Sequence, residues 1–188
     1  TPFVSKLFTC LALRDPLFTG RIPTRPQFGR VPYQGADVME VVPGIYDSVG
    51  SFDVKAMYHS NAAQHNISWD TLDPKGIDCG NGVCFREGEQ GLLVRQMDFI
   101  TQLRDDFKER MKSAGDEQER VRWDTMQYAC KSLVASMYGV AGDSKHGLYH
   151  PEVAAAITYT SRRTLYKLKE MCLGEGYDVL YGHTDSVF

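Results

Sequence analysis

No run of apolar residues in this chain approaches the roughly 20 needed to span a bilayer, so nothing in it reads as a membrane segment. Its five cysteines, at positions 10, 79, 84, 130 and 172, are scattered and build no disulfide framework. That excludes the small secreted scaffolds held together by bridges, and three of the five fall in apolar stretches where a reduced thiol packs as a small hydrophobe. Basic charge is not in excess: 21 Lys and Arg against 24 Asp and Glu leave a net charge of -3. A general polyanion-binding surface is therefore excluded, although a basic groove confined to one place is not. Repeats, low-complexity tracts, a signal-like start and an initiator Met are all missing, and the expectation is a piece of an intracellular protein, from a prokaryotic cytoplasm, a nucleus or an infected host cell. What is present, 188 residues with 43% hydrophobic and 11% aromatic content, suffices for the core of one ordinary domain.

The final eight residues, Tyr181-Gly182-His183-Thr184-Asp185-Ser186-Val187-Phe188, set one carboxylate on a tight turn between two β-prone runs. Residues 177–181 are expected to form a strand, 182–185 a turn, and 186–188 the start of a second strand, so the chain stops inside an element. A second carboxylate, Asp53, ends a short apolar run just before an expected helix, in Gly50-Ser51-Phe52-Asp53-Val54-Lys55-Ala56-Met57-Tyr58. Two carboxylates on separate strands suggest one site; singly, each also suits a turn former or a helix cap.

Between them the pattern is helical. Residues 1–48 open on a helix-like spacing of Phe3, Leu7, Phe8 and Leu11 and pass into a Pro-limited extended linker that carries Arg21, Arg25 and Arg30. These three arginines suit nucleic-acid phosphates or simple solvation. Residues 59–90 are expected to be loop-rich, with Cys79 and Cys84 on either side of an Asn81-Gly82 hairpin turn, either a hairpin tip or half of a zinc site. Leu93, Met97, Ile100, Leu103, Phe107 and Met111 recur every three or four residues, predicting one long helix over 91–112. Ser113-Ala114-Gly115-Asp116 breaks it, and a second helix is expected over 118–138, with Met126, Cys130, Leu133, Val134 and Met137 on its apolar side and Gly139 as its stop. The two make an antiparallel hairpin. A third helix begins at Pro151 and ends at Gly174.

Arg104, Lys108 and Lys112 stand four residues apart and share one face of the first long helix. Like charges so placed are mildly unfavourable unless an anion, or acidic neighbours such as Asp106 and Glu109, offset them. If the helices are antiparallel, Lys131 on the second converges with Arg104 and Lys108, a cluster suited to a triphosphate.

In this order the segments Asp53 to Tyr58, Lys131-Ser132-Leu133-Val134-Ala135-Ser136-Met137-Tyr138-Gly139, and Tyr181 to Ser186 resemble three motifs of the family B DNA polymerases. Those motifs read Asp-x-x-(Ser or Ala)-Leu-Tyr-Pro-Ser, Lys-x-x-x-Asn-Ser-x-Tyr-Gly and Tyr-Gly-Asp-Thr-Asp-Ser. Tyr33-Gln34-Gly35-Ala36 is similar to the Tyr-x-Gly-(Gly or Ala) segment that precedes them, so the likeness covers nearly the whole chain. It implies an α+β fold, a polymerase palm of antiparallel sheet with packed helices, interrupted by a helical-hairpin fingers insertion. On this reading residues 1–48 lead into the palm, 49–90 are its first part, 91–138 the fingers and 139–188 a truncated second part.

The implied activity is DNA-templated DNA synthesis, nucleotidyl transfer from a dNTP to a primer 3′-hydroxyl with two Mg²⁺ ions, Mn²⁺ being compatible. Asp53 and Asp185 are the implied catalytic metal ligands, with the Val54 carbonyl a third; Arg104, Lys108, Lys131, Tyr58 and Ala135 are implied to meet the nucleotide. Tyr58 matches the aromatic under the sugar that excludes a 2′-hydroxyl, and is otherwise a core tyrosine. Tyr33, Gly35, Tyr138 and Gly139 are implied to meet primer-template DNA. A processivity clamp is a compatible partner, a membrane is not, and the truncated chain alone is expected to be inactive. Three departures stand out: His183 replaces the first Asp of the third motif, next to the metals; Ala135 replaces Asn; His59 replaces Pro. They leave an alternative, a catalytically inactive polymerase-like DNA-binding or scaffold subunit.

Overall fold

The computed structural model describes residues 2–17 and 31–188. The extended linker with Arg21, Arg25 and Arg30 lies outside them. The chain is α+β, and its order is α1 (Pro2–Arg14), β1 (Phe52–Asp53), α2 (Met57–Gln64), β2 (Leu72–Asp78), β3 (Cys84–Phe85), α3 (Leu92–Lys112), α4 (Glu117–Gly142), α5 (Pro151–Gly174), β4 (Gly182–His183) and β5 (Ser186–Val187). Two small antiparallel sheets result, one ordered β1-β5-β4 and one a β2-β3 hairpin. Among the described residues no helix is long and apolar enough to cross a membrane.

The hairpin of α3 and α4 follows the expected periodicity. Leu93, Met97 and Ile100 are buried, and Leu103 and Phe107 pack against the same cluster. Ser113 ends α3, and Asp116 opens α4 by accepting a hydrogen bond from the Glu119 N–H at 2.7 Å, the side-chain cap that the orphan donors of a first turn require. Beyond the turn, Phe107 stacks on Trp123 at 5.7 Å, and the Arg110 and Arg122 guanidinium groups lie 5.1 and 5.0 Å from its ring. Met126, expected on the apolar side, is 43% exposed and lies outside the buried cluster that Cys130 and Met137 of the same helix join.

Two boundaries differ from expectation and one holds. Helix α4 does not stop at Gly139 but runs to Gly142, since Gly139 keeps helical bonding and its carbonyl accepts from the Asp143 N–H at 3.0 Å. Gly142 is the position where a side chain would collide, with the Tyr33 hydroxyl. Helix α5 keeps its expected bounds, Pro151 to Gly174, while the left-handed residue beyond it is Gly176 at φ +86°. Gly176 and Tyr177 N–H groups close the end on the Leu173 and Cys172 carbonyls, a Schellman arrangement. Residues 59–90 hold more structure than a loop: α2 reaches Gln64, and β2 and β3 form the hairpin whose tip carries Cys79, Asn81 and Cys84. There the Asn81 Oδ1 accepts from the Cys79 thiol at 3.0 Å, and the Asp78 carboxylate accepts from the Gly80 and Gly82 N–H groups at 2.7 and 3.0 Å.

The expected strand over 177–181 is absent as a strand. Its pairing is irregular: both Leu180 and Tyr181 N–H groups reach the Phe188 carbonyl, and the Phe188 N–H returns to Tyr181 at 2.9 Å. Regular pairing begins only at Gly182. Among the described residues, two apolar clusters support the chain. The larger joins α1, the base of α3, the end of α4 and the first half of α5; the smaller, Met39, Met57, Leu165 and Val187, lies beneath the three-stranded sheet.

Candidate active site

Strand β1 pairs with β5, opposing Phe52 to Val187 and Asp53 to Ser186, and so brings the two carboxylates together. The Ser186 hydroxyl oxygen lies 3.0 Å from Asp53 Oδ2 and 3.4 Å from Asp185 Oδ1, facing both. The Val54 N–H donates to the Asp185 carbonyl at 2.8 Å, which locks the two chains on the far side of Asp53. Both carboxylates are flanked by uncommon backbone. Ala56, the residue that opens α2, has φ +50°, and the β-branched Thr184 in the turn has φ +55°. Left-handed non-glycine residues of this kind cost about 1–3 kcal/mol each and persist only where surrounding contacts over-determine them.

At Thr184 and the residues before it, those contacts come from the 37–42 segment. The Thr184 N–H donates to the Asp37 carbonyl at 3.0 Å, Val38 bridges to His183, and the Met39 and Val42 N–H groups donate to Gly182 and Leu180. The segment is in turn held on α5. Arg162 donates to the Gln34 and Gly35 carbonyls, Thr158 donates to Gln34 at 2.8 Å, and the Tyr166 hydroxyl donates to the Asp37 carboxylate at 2.6 Å. That last bond holds the Tyr166 phenol protonated beyond its ordinary range.

The carboxylates form one wall of a cavity of about 460 Å³. Arg104 and Lys108 of α3 and Lys131 and Ala135 of α4 line the opposite wall, with Tyr58 and His59 between. Arg104 is oriented by its Nε–H bond to Gln127 of α4 at 3.2 Å. Lys112, the third expected cation of the stripe, is not in the lining; it is exposed and pairs with Glu109 at 2.8 Å. Tyr58 packs on Tyr138 at 4.8 Å between ring centres, and the Tyr138 and Tyr33 hydroxyls are 3.3 Å apart. Burial raises the Tyr58 pKa, with the Asp185 charge and Tyr33 adding to it, and burial likewise raises that of Tyr138. Gly35 and Gly139 are exposed. His183 is exposed beside Thr184 and outside the cavity lining.

A larger cavity, about 850 Å³, opens along α5 and includes Asp37, His65, Arg163 and Tyr166. Its arginines and Asp37 are committed to internal bonds, and it holds neither carboxylate of the sheet. The smaller cavity, which brings the two carboxylates and three cations together, is therefore the candidate site. Sequence reasoning missed Ser186, whose position directly after Asp185 was the available signal, and the Asp37, Arg162 and Tyr166 support, for which local sequence carried none.

Among the described residues no group of three or more His, Cys, Asp or Glu side chains is placed to hold a metal ion. Two carboxylates that face one point still fit Mg²⁺, which takes hard oxygen donors and is commonly held by one or two carboxylates together with substrate phosphates and water.

Comparison with known proteins gives a single answer. A sequence model described as DNA polymerase family B matches residues 12–188. The chain is 32% identical over 170 residues to DNA polymerase 1 of Sulfurisphaera ohwakuensis, covering 83% of this chain and 19% of that protein. It is 30% identical over 183 residues to a DNA polymerase of Archaeoglobus fulgidus, covering 95% and 23%. The solved family B DNA polymerase of Pyrobaculum calidifontis superposes with a TM-score of 0.75 at 30% identity, covering 98% of this chain and 25% of that one. The chain thus spans about a fifth to a quarter of the length of these relatives.

Proposed function

The chain belongs to DNA polymerase family B, and on that premise we propose that it supplies part of the palm and fingers of a DNA-templated DNA polymerase. Residues 49–90 and 139–188 are the palm portions, 91–138 the fingers hairpin, and 1–48 the approach to the palm. The observation that carries this reading is the cavity with two carboxylates on one wall and Arg104, Lys108 and Lys131 on the other.

Joining a primer 3′-hydroxyl to a nucleotide α-phosphate concentrates negative charge on the attacking, leaving and non-bridging oxygens. Arg104, Lys108 and Lys131 hold the triphosphate and neutralise that charge from fixed positions, so little reorganisation is needed as the bond forms. Asp53, Asp185 and the Val54 carbonyl would hold divalent cations, two Mg²⁺ or Mn²⁺, which when bound supply Lewis-acid neutralisation at the phosphoryl oxygens. The Ser186 hydroxyl donates its one proton to Asp53 at 3.0 Å and so orients that carboxylate beside Asp185. Tyr58, which lines the cavity and packs on Tyr138, would offer its aromatic ring to the sugar and exclude a 2′-hydroxyl. Ala135 borders the same nucleotide space. Tyr33, Gly35, Tyr138 and Gly139 form the surface for the template strand, with Gly139 permitting close approach.

Primer extension by the full-length protein, with Mg²⁺, with Mn²⁺ and with chelator, tests this reading; template-directed incorporation that chelator abolishes is expected, and binding of primer-template without incorporation under any metal overturns it. That second result is what a polymerase-like DNA-binding or scaffold subunit would give. His183 in place of a carboxylate, and Ala135 in place of Asn, are the observations in its favour.

A further inference from the structure

At the position where the family motif has Pro, which offers no side-chain donor, this chain has His59. Its Nε2 lies 2.6 Å from Asp98 Oδ1, joining α2 to α3. Among the described residues it is the one side-chain hydrogen bond between these two helices. The second Asp98 oxygen accepts from Gln90 Nε2 at 2.7 Å, so the carboxylate is fixed from both sides. The two side chains are only 13% and 35% exposed, which keeps water from replacing the bond freely.

The location gives this pair its consequence. His59 lines the cavity directly after Tyr58, the residue set against the sugar. Asp98 stands one helical turn before Thr101 and two before Asp105, which line the cavity beside Arg104 and Lys108. The bond therefore ties the element bearing Tyr58 to the base of the helix bearing the phosphate-binding cations.

We propose that His59 is a positioning residue: its bond to Asp98 sets the gap between Tyr58 and the cationic face of α3, and with it the fit of the nucleotide between sugar and phosphate contacts. This rests on the polymerase reading. Loosening the tether lets α3 drift from Tyr58, so nucleotide affinity and sugar selection change together while the reacting groups stay intact.

The test is single-nucleotide incorporation by the full-length protein, using dNTPs and rNTPs, in the wild type, His59→Ala, Asp98→Ala, the double variant and His59→Gln, with a thermal melt of each. Each alanine variant is expected to raise KM for dNTP about five- to ten-fold with kcat within about two-fold, and to weaken rejection of rNTP. The double variant should be no worse than either single one, and His59→Gln, which retains a donor at similar reach, should restore both measures. Additive losses, failure of Gln to restore, or a lowered Tm with KM and sugar selection unchanged overturns the proposal while leaving the polymerase reading in place. No incorporation by the wild type overturns the polymerase reading and this inference with it.

Discussion

The two walls of the cavity are built in different ways. The cationic wall is a pair of long helices, 21 and 26 residues, whose own hydrogen bonds and facing side chains hold Arg104, Lys108 and Lys131 in place. The carboxylate wall consists of two-residue strands, too short to stand alone, and it relies on residues 37–42, on Tyr166 and Arg162 of α5, and on the small cluster beneath. A helical wall tolerates local change, whereas the sheet wall transmits any change in its supports to Asp53 and Asp185.

The largest effect expected from this contrast is at the carboxylates themselves. Asp53→Ala and Asp185→Ala in the full-length protein should each abolish extension while leaving DNA binding largely intact; turnover near wild type in either one would refute their assignment. On the opposite wall, Arg104→Ala and Lys131→Ala should lower kcat/KM for nucleotide by about 2–4 kcal/mol of transition-state stabilisation, a loss of about 30- to 10³-fold. An unchanged kcat/KM means these cations do not meet the triphosphate.

The supports can be compared directly. Leu165, fully buried under the sheet, and Leu93, fully buried at the base of α3, should each cost about 2–5 kcal/mol of stability when changed to Ala. At equal loss of Tm, Leu165→Ala should reduce activity more than Leu93→Ala, because only the former lies beneath the carboxylates. Equal losses of activity would erase the contrast between the walls.

Two smaller effects sharpen it. His183→Asp adds a hard oxygen next to the turn and should raise Mg²⁺-dependent activity a few-fold, whereas His183→Asn should stay within a few-fold of wild type; inactivation by His183→Asp would show that the imidazole is needed. The last concerns the tyrosines between the walls. Burial holds Tyr58 and Tyr138 protonated beyond the ordinary value of 10.0, so the folded chain keeps protons that the unfolded chain releases. The stability they contribute is fully present below about pH 10 and is lost as pH rises beyond it. Denaturant titrations from pH 8 to 11 should show a shallower alkaline loss in Tyr138→Phe than in wild type.

Much of this was legible in the residues, and unevenly so. The helices of the cationic wall announced themselves through period and punctuation, down to the Ser113 to Asp116 break, because their geometry is set by neighbours three and four residues away. The end of α4 was less legible, since Gly139 carries no signal that distinguishes a helical glycine from a terminating one. On the other wall, the turn at Asp185 and its pairing toward Asp53 followed from strand chemistry. The irregular 177–181 stretch did not, because its partner is Phe188 on one side and Val42 on the other, and neither is encoded in local alternation. Likewise, nothing near Gln34 or Asp37 predicts their partners Arg162 and Tyr166, which lie more than 120 residues away and meet them only after α5 has packed.

The single hydroxyl of Ser186 reaches across 133 residues of chain to Asp53. Distance along the chain is a kinetic quantity, since the entropy of closing so long a loop must be met before its contacts give any return. The α3–α4 hairpin closes over a four-residue turn and has no such barrier. We therefore expect refolding to be ordered, with amides of 92–142 protected from hydrogen exchange early and those of 52–54 and 182–187 protected last. Pulse labelling would detect simultaneous protection if this order is wrong. If it is right, Asp53 and Asp185 meet only after the helices between them have assembled.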